Sequence, residues 1–110
     1  MMIASRVLKL RRGNDDIEIP FRIFAPKKET VDWSCRVEIG WPDETLTIDV
    51  IGIDAVQALD LALKMAGAQI YGSDHHLSGR LTWLEPGKGY GFPVTNSLRD
   101  LLVGDDAKYL

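Results

Sequence analysis

A single cysteine, Cys35, stands in the 110 residues, so no disulfide forms within the chain and no thiolate cluster builds a zinc or iron–sulfur site. A surplus of positive charge is also missing. Thirteen Lys and Arg face 16 Asp and Glu, a net charge of −3, which leaves no global field to hold nucleic acid or an anionic membrane. No window approaches the roughly 18 consecutive apolar residues of a membrane span. Near the N-terminus, Arg6, Lys9, Arg11 and Arg12 are interleaved with Val7, Leu8 and Leu10 and interrupt any secretory h-region. Repeats and low-complexity stretches are absent. These absences set the expectation of a cytoplasmic, untethered protein without membrane contact and without a cofactor.

What is present is ordinary globular material, 45% hydrophobic and 26% charged. It suits one domain over residues 1–110, whose folding buries roughly 65% of the unfolded chain's surface. Residues Ile3 to Arg11 read as a first strand in which apolar and basic residues partly alternate. After the turn Arg12-Gly13-Asn14-Asp15, the alternation is clean: Ile17, Ile19, Phe21, Ile23 and Ala25 on one face, Glu18, Arg22 and Phe24 on the other. Pro20 has no N–H to donate and places this strand at an edge or a bulge. A third strand sets Val31, Trp33, Cys35, Val37 and Ile39 inward and Asp32, Ser34, Arg36 and Glu38 outward. Past Trp41-Pro42-Asp43-Glu44 a fourth carries Leu46, Ile48 and Val50. Short connections favour an antiparallel meander with one wet face.

Gly52-Ile53-Asp54 marks the switch to a helix, with Asp54 as N-cap and Gln57 closing a capping box. The helix is expected to reach about Tyr71, with Val56, Leu59, Leu63, Ala66 and Ile70 as its core stripe. A second apolar set, Ala58, Leu61, Ala62 and Met65, leaves only a narrow polar strip. Such a helix needs a second cover. Leu98, Leu101 and Leu102 of a short helix capped by Asn96 or Ser97 supply one. A second subunit approaching over Ala58, Leu61, Ala62 and Met65 supplies the other, and a homodimer is the expected partner state.

Three segments taken together resemble a family of small bacterial domains of unknown function. They are Trp33-Ser34-Cys35 opening a strand, Gly52-Ile53-Asp54-Ala55-Val56-Gln57-Ala58-Leu59 opening the helix, and Trp83 followed by Gly91-Phe92-Pro93. The resemblance implies a strands-then-helix domain found in bacteria and carries no activity.

Chemistry-bearing residues gather in two places. Leu81-Thr82-Trp83-Leu84, read as a short fifth strand, leads into Gly87-Lys88-Gly89-Tyr90-Gly91-Phe92 and resembles the RNA-stacking strands of cold-shock domains. On that reading Trp83, Lys88, Tyr90 and Phe92 bind unpaired bases through stacking and charge. Against it, Leu84 stands where that family has an aromatic, Pro93 interrupts the next strand, and too little chain follows to close a barrel. The favoured reading folds Tyr90 and Phe92 back onto the core, and nucleic acid is not the expected partner. The glycines also lack the spacing of a phosphate loop.

Asp74-His75-His76 is the one grouping of imidazoles with a carboxylate and the candidate metal set. No third histidine completes a site, and a polar loop closing the helix explains the same residues. Cys35 paired with one of these histidines would make a thiol nucleophile, but its inward phase marks it as a small buried hydrophobe. The expected fold is therefore α+β, an antiparallel meander of four or five strands with one long helix on one face and a short C-terminal helix. The expected function is a non-enzymatic protein-interaction module that self-associates, with single-stranded nucleic-acid binding and a small metal enzyme as the alternatives.

Overall fold

The architecture, a computed structural model describing residues 1–110, is an antiparallel six-stranded sheet with one long helix laid across part of its inner face. Strands β1 (Met2–Arg12) and β2 (Asp15–Phe24) form a long hairpin. Its two-residue turn places Gly13 at φ +63°, where a hairpin turn needs a residue without Cβ. Strand β4 (Trp33–Gly40) pairs along its whole length with β5 (Thr45–Gly52). On its other side β4 pairs with β2, then with the two residues of β3 (Lys27–Lys28). Two residues of β6 (Leu81–Thr82) add to the free edge of β1. The sheet is thus the expected meander, extended by the short β3 and β6.

Pro20 sits neither at a bulge nor in an outer strand. Its register with β1 runs unbroken through Val7↔Pro20, while the β2–β4 ladder ends at Phe21↔Ile39, one residue short of it. The proline occupies the point where β2 passes from two neighbours to one, so its missing N–H interrupts no ladder. Val31, expected inward, is 84% exposed because β4 begins only at Trp33 and the alternation does not extend into the loop before it.

Leu8, Leu10, Ile19, Phe21, Ile23, Cys35, Val37 and Ile39 line the inner face and are buried. The outer face is solvated and mixed in sign, with Arg36 bonded to Asp49 at 2.8 Å and Arg11 paired with Asp16 at 3.3 Å across their ladders. Helix α1 (Ala55–Tyr71) lies over β4 and β5. The expected cap forms, with its return bond shifted by one residue: Asp54 accepts from the Gln57 N–H at 2.8 Å, and the Gln57 side chain accepts at 2.7 Å from the N–H of Ile53, the residue before the N-cap. The face the helix buries keeps Ala66 and Ile70 of the expected stripe but is rotated toward Ala58 and Ala62. Ala58, Ala62, Ala66 and Ile70 are fully buried, Leu59 and Leu63 are half-buried, and Val56 is 77% exposed. Small residues make the contact because the backbones come close: a Cβ on Gly52 would collide with the Ala58 backbone.

The other half of the inner face is covered by the C-terminal third of the chain. Phe92 reaches Phe21 with ring centroids 5.5 Å apart, and Tyr90, Val94 and Leu102 join the same core. Beyond Val94 the expected short helix is a 3-10 helix over Asn96–Leu101, preceded by Thr95 rather than by Asn96 or Ser97. Two further short helices depart from the sequence reading: α2 (Asp74–Leu77), where a polar loop is expected, and α3 (Gly104–Tyr109), which follows the 3-10 helix.

Candidate functional site

The polar interior of this protein is organised by Asp106, which is only 2% exposed. Its carboxylate accepts from the Tyr90 N–H at 2.7 Å on one oxygen and from the Gly91 N–H at 2.7 Å on the other. The Tyr71 hydroxyl donates to it at 2.5 Å and itself accepts from the Val103 N–H. Three elements distant in sequence are thereby joined: the end of α1, the glycine-rich loop and α3. The loop adopts the required shape because Gly87, Gly89 and Gly91 all take positive φ. A side chain at Gly89 would occupy the space of the Asp106 carboxylate itself.

Arg6 completes this layer from β1. Its guanidinium lies 3.9 Å from the centre of the Trp83 ring and 4.9 Å from that of Phe92, and it donates to the Tyr90 carbonyl at 3.0 Å. Burial pushes its pKa down, opposed by the nearby Asp106 charge. Burial raises the Tyr71 hydroxyl, which the hydrogen bond to Asp106 raises further, and pushes Tyr90 up to about 12 with Asp106 adding to the effect. Both phenols are therefore neutral donors at physiological pH.

Beside this layer opens a cavity of about 380 Å³, lined by Trp83, Leu84, Glu85, Lys88, Gly89, Gly91 and the α3 side of Asp105, Asp106, Tyr109 and Leu110. At its rim Leu84 stands at φ +61° and is 82% exposed. The Glu85 N–H donates to the Trp83 carbonyl at 2.7 Å, closing a three-residue turn around that leucine. The expected strand over Leu81–Leu84 accordingly stops at Thr82.

Of the residues proposed to stack on bases, only Trp83 and Lys88 reach this cavity. Tyr90 and Phe92 are each 5% exposed and offer no ring face to a base, as the competing core reading holds. The candidate metal set is not brought together. Asp74 opens α2 at the surface, His75 stacks on Trp41 at 5.0 Å, and His76 Nδ1 meets the Tyr90 hydroxyl at 2.6 Å. No three His, Cys, Asp or Glu side chains are placed to share an ion. Cys35 is fully buried, donates to the Phe24 carbonyl at 3.2 Å rather than to either histidine, and has its thiol pKa raised by burial. Ala58 and Ala62 are spent on the sheet and inaccessible to a second copy. The expected self-association surface is reduced to the half-buried Leu61 and Met65.

Burial also lowers the His76 pKa below its usual 6.5. The neutral ring is thus favoured in the folded state, and the unfolded state takes up its proton first as pH falls. Stability is full above the unfolded-state pKa and declines through the window beneath it. Urea midpoints measured between pH 7.5 and 5 should fall more steeply for the native chain than for His76→Asn; parallel slopes would place that titration elsewhere.

An open antiparallel sheet with a helix across half of one face, and a C-terminal aromatic layer across the rest, defines a small α+β domain. No helix is long and apolar enough to cross a membrane. Residues 4–94 match the family model of the domain of unknown function DUF6968, and the chain belongs to that family. No match was found among curated proteins or among solved structures.

Proposed function

We propose that this chain is a non-enzymatic protein-interaction module of the bacterial cytoplasm, receiving a bulky apolar side chain of a partner segment in the cavity beside Trp83 and Leu84. The observation that carries the reading is Leu84. A leucine held in the left-handed region costs about 1–2 kcal/mol relative to ordinary backbone, and here its side chain points to solvent rather than into the core. Glycine would take the same turn without strain, so the side chain serves something other than folding. Trp83 and Tyr109 extend the apolar surface around it, while Glu85, Lys88 and Asp105 supply polar handles at the rim. Self-association stays part of the proposal through Leu61 and Met65 alone.

Random peptides displayed on phage and panned on the immobilised protein test this reading. Enriched peptides should share a bulky apolar residue. Leu84→Gly should raise stability by about 1 kcal/mol while losing those peptides. Equal capture by Leu84→Gly would contradict the proposal.

A further inference from the structure

The geometry points to a second recognition site in this protein: a carboxylate-binding cradle, presented by the body of the domain and filled in the resting chain by its own C-terminal segment through Asp106. Every donor of the cradle lies within residues 4–94, the span that matches the family, and the carboxylate lies outside it. The cradle is built for two oxygens. Consecutive N–H groups of Tyr90 and Gly91 address one oxygen each, and the Tyr71 hydroxyl adds a third donor. Arg6 supplies a fixed positive charge nearby, held in place by Trp83 and Phe92. At Gly89 the absence of a Cβ leaves the volume that the carboxylate fills.

The segment bearing the carboxylate is attached in a way that permits release. Residues Thr95 to Leu101 are exposed except for the half-buried Leu98, and their 3-10 helix lacks a side-chain cap. The segment is held at few points: the buried Leu102, the Val103 N–H on the Tyr71 hydroxyl at 3.3 Å, Gly104 packed on the Gly87–Lys88 backbone, the Asp105 N–H on the Lys88 carbonyl at 2.7 Å, and Asp106 itself. When the segment leaves, the cradle is free for a carboxylate on another chain, an Asp or Glu side chain or a terminal carboxylate. The cradle and the neighbouring cavity share Gly89, Gly91 and Asp106, so release of α3 also removes the Tyr109 wall of that cavity; peptide capture by the Leu84→Gly variant tests the cavity separately.

Two experiments on one variant and one measurement on the native chain test it. In Asp106→Ala, sodium acetate should raise the unfolding temperature by several degrees over sodium chloride at equal ionic strength, with no such difference in the native protein. A synthetic peptide of residues 95–110 should bind Asp106→Ala saturably and the native chain roughly tenfold more weakly; the same peptide with Asn at the Asp106 position should not bind. Acetate acting no differently from chloride, or the peptide binding both proteins alike, would overturn the proposal. Should Asp106→Ala fail to fold, amide exchange of the native chain decides. The Tyr90 and Gly91 amides should exchange with α3 and faster than those of β4. Exchange only through global unfolding would show that the segment is no separable latch.

Discussion

Replacing Asp106 with alanine is expected to lower the unfolding free energy by about 3–5 kcal/mol, the largest loss at any single polar residue. The carboxylate receives two backbone N–H groups and the Tyr71 hydroxyl, and every buried side-chain polar atom of the protein is otherwise partnered. Removing it strands three donors, and each buried donor left unmade costs about 1–3 kcal/mol. Relaxation of the glycine loop toward water recovers part of that sum. Urea unfolding followed by circular dichroism measures it. The Tyr90 phenol gives an independent readout, because its pKa, pushed up to about 12, has Asp106 as its second cause and should drop in the variant. A loss under about 1 kcal/mol would mean that the loop is held by its aromatic contacts and that the hydrogen bonds contribute little.

Gly67→Ala is the second large effect, and its sign is the informative part. Inside a helix, alanine is ordinarily about 1 kcal/mol better than glycine, so helix propensity alone predicts stabilisation. Here the new Cβ would sit on the Pro93 carbonyl oxygen and press the Val94 side chain. A carbonyl of the main chain has little room to retreat, and overpacking of this kind costs about 1–3 kcal/mol. The expected result is a net loss of up to about 2 kcal/mol, the difference of those two effects. It would be accompanied by loosening of Phe92 from Phe21, visible in near-ultraviolet circular dichroism. Stabilisation instead would show that the segment after Gly91 is not pinned against α1.

Local pattern carried the strands, and it failed where packing distance decides. Period-two alternation placed Ile19, Phe21, Ile23, Cys35, Val37 and Ile39 on the inner face, where all are buried. Extending that alternation back to Val31 overran the strand. The helix was located and capped correctly, yet its buried face was assigned to the larger side chains. Leu59 and Leu63 are apolar enough to qualify, but beside the expected Ala66 and Ile70 the helix approaches the sheet through Ala58 and Ala62, whose small size permits it. Nothing in helical spacing distinguishes a small-residue contact with a sheet from one with a second helix, which is why Ala58 and Ala62 also suit a dimer surface in the sequence.

The polar layer was nearly illegible for a different reason. Asp106 is one of 16 acidic residues and sits among exposed neighbours, and its partners Tyr71 and Tyr90 are 35 and 16 positions away. No short-range pattern joins them. One signal was present: Arg6 shares the inward phase of Leu8 and Leu10, and a basic residue in that phase needs acceptors beneath the sheet. The glycine-rich segment was flagged by its composition, and its Tyr90 and Phe92 rings turn inward as the favoured reading held. The strain at Leu84 had no sequence mark, since leucine is not a residue that turn chemistry selects for positive φ.

The measurement that bears most directly on the proposed module is a chemical-shift map of the isotope-labelled protein titrated with a peptide enriched by phage selection. Shifts should concentrate on the Trp83 indole N–H, the Leu84 methyls, Glu85, Lys88 and the Tyr109 ring, leaving the outer sheet face around Arg36 and Asp49 unmoved. Shifts centred on that outer face, or on Leu61 and Met65 of α1, would contradict the assignment of the cavity as the binding surface.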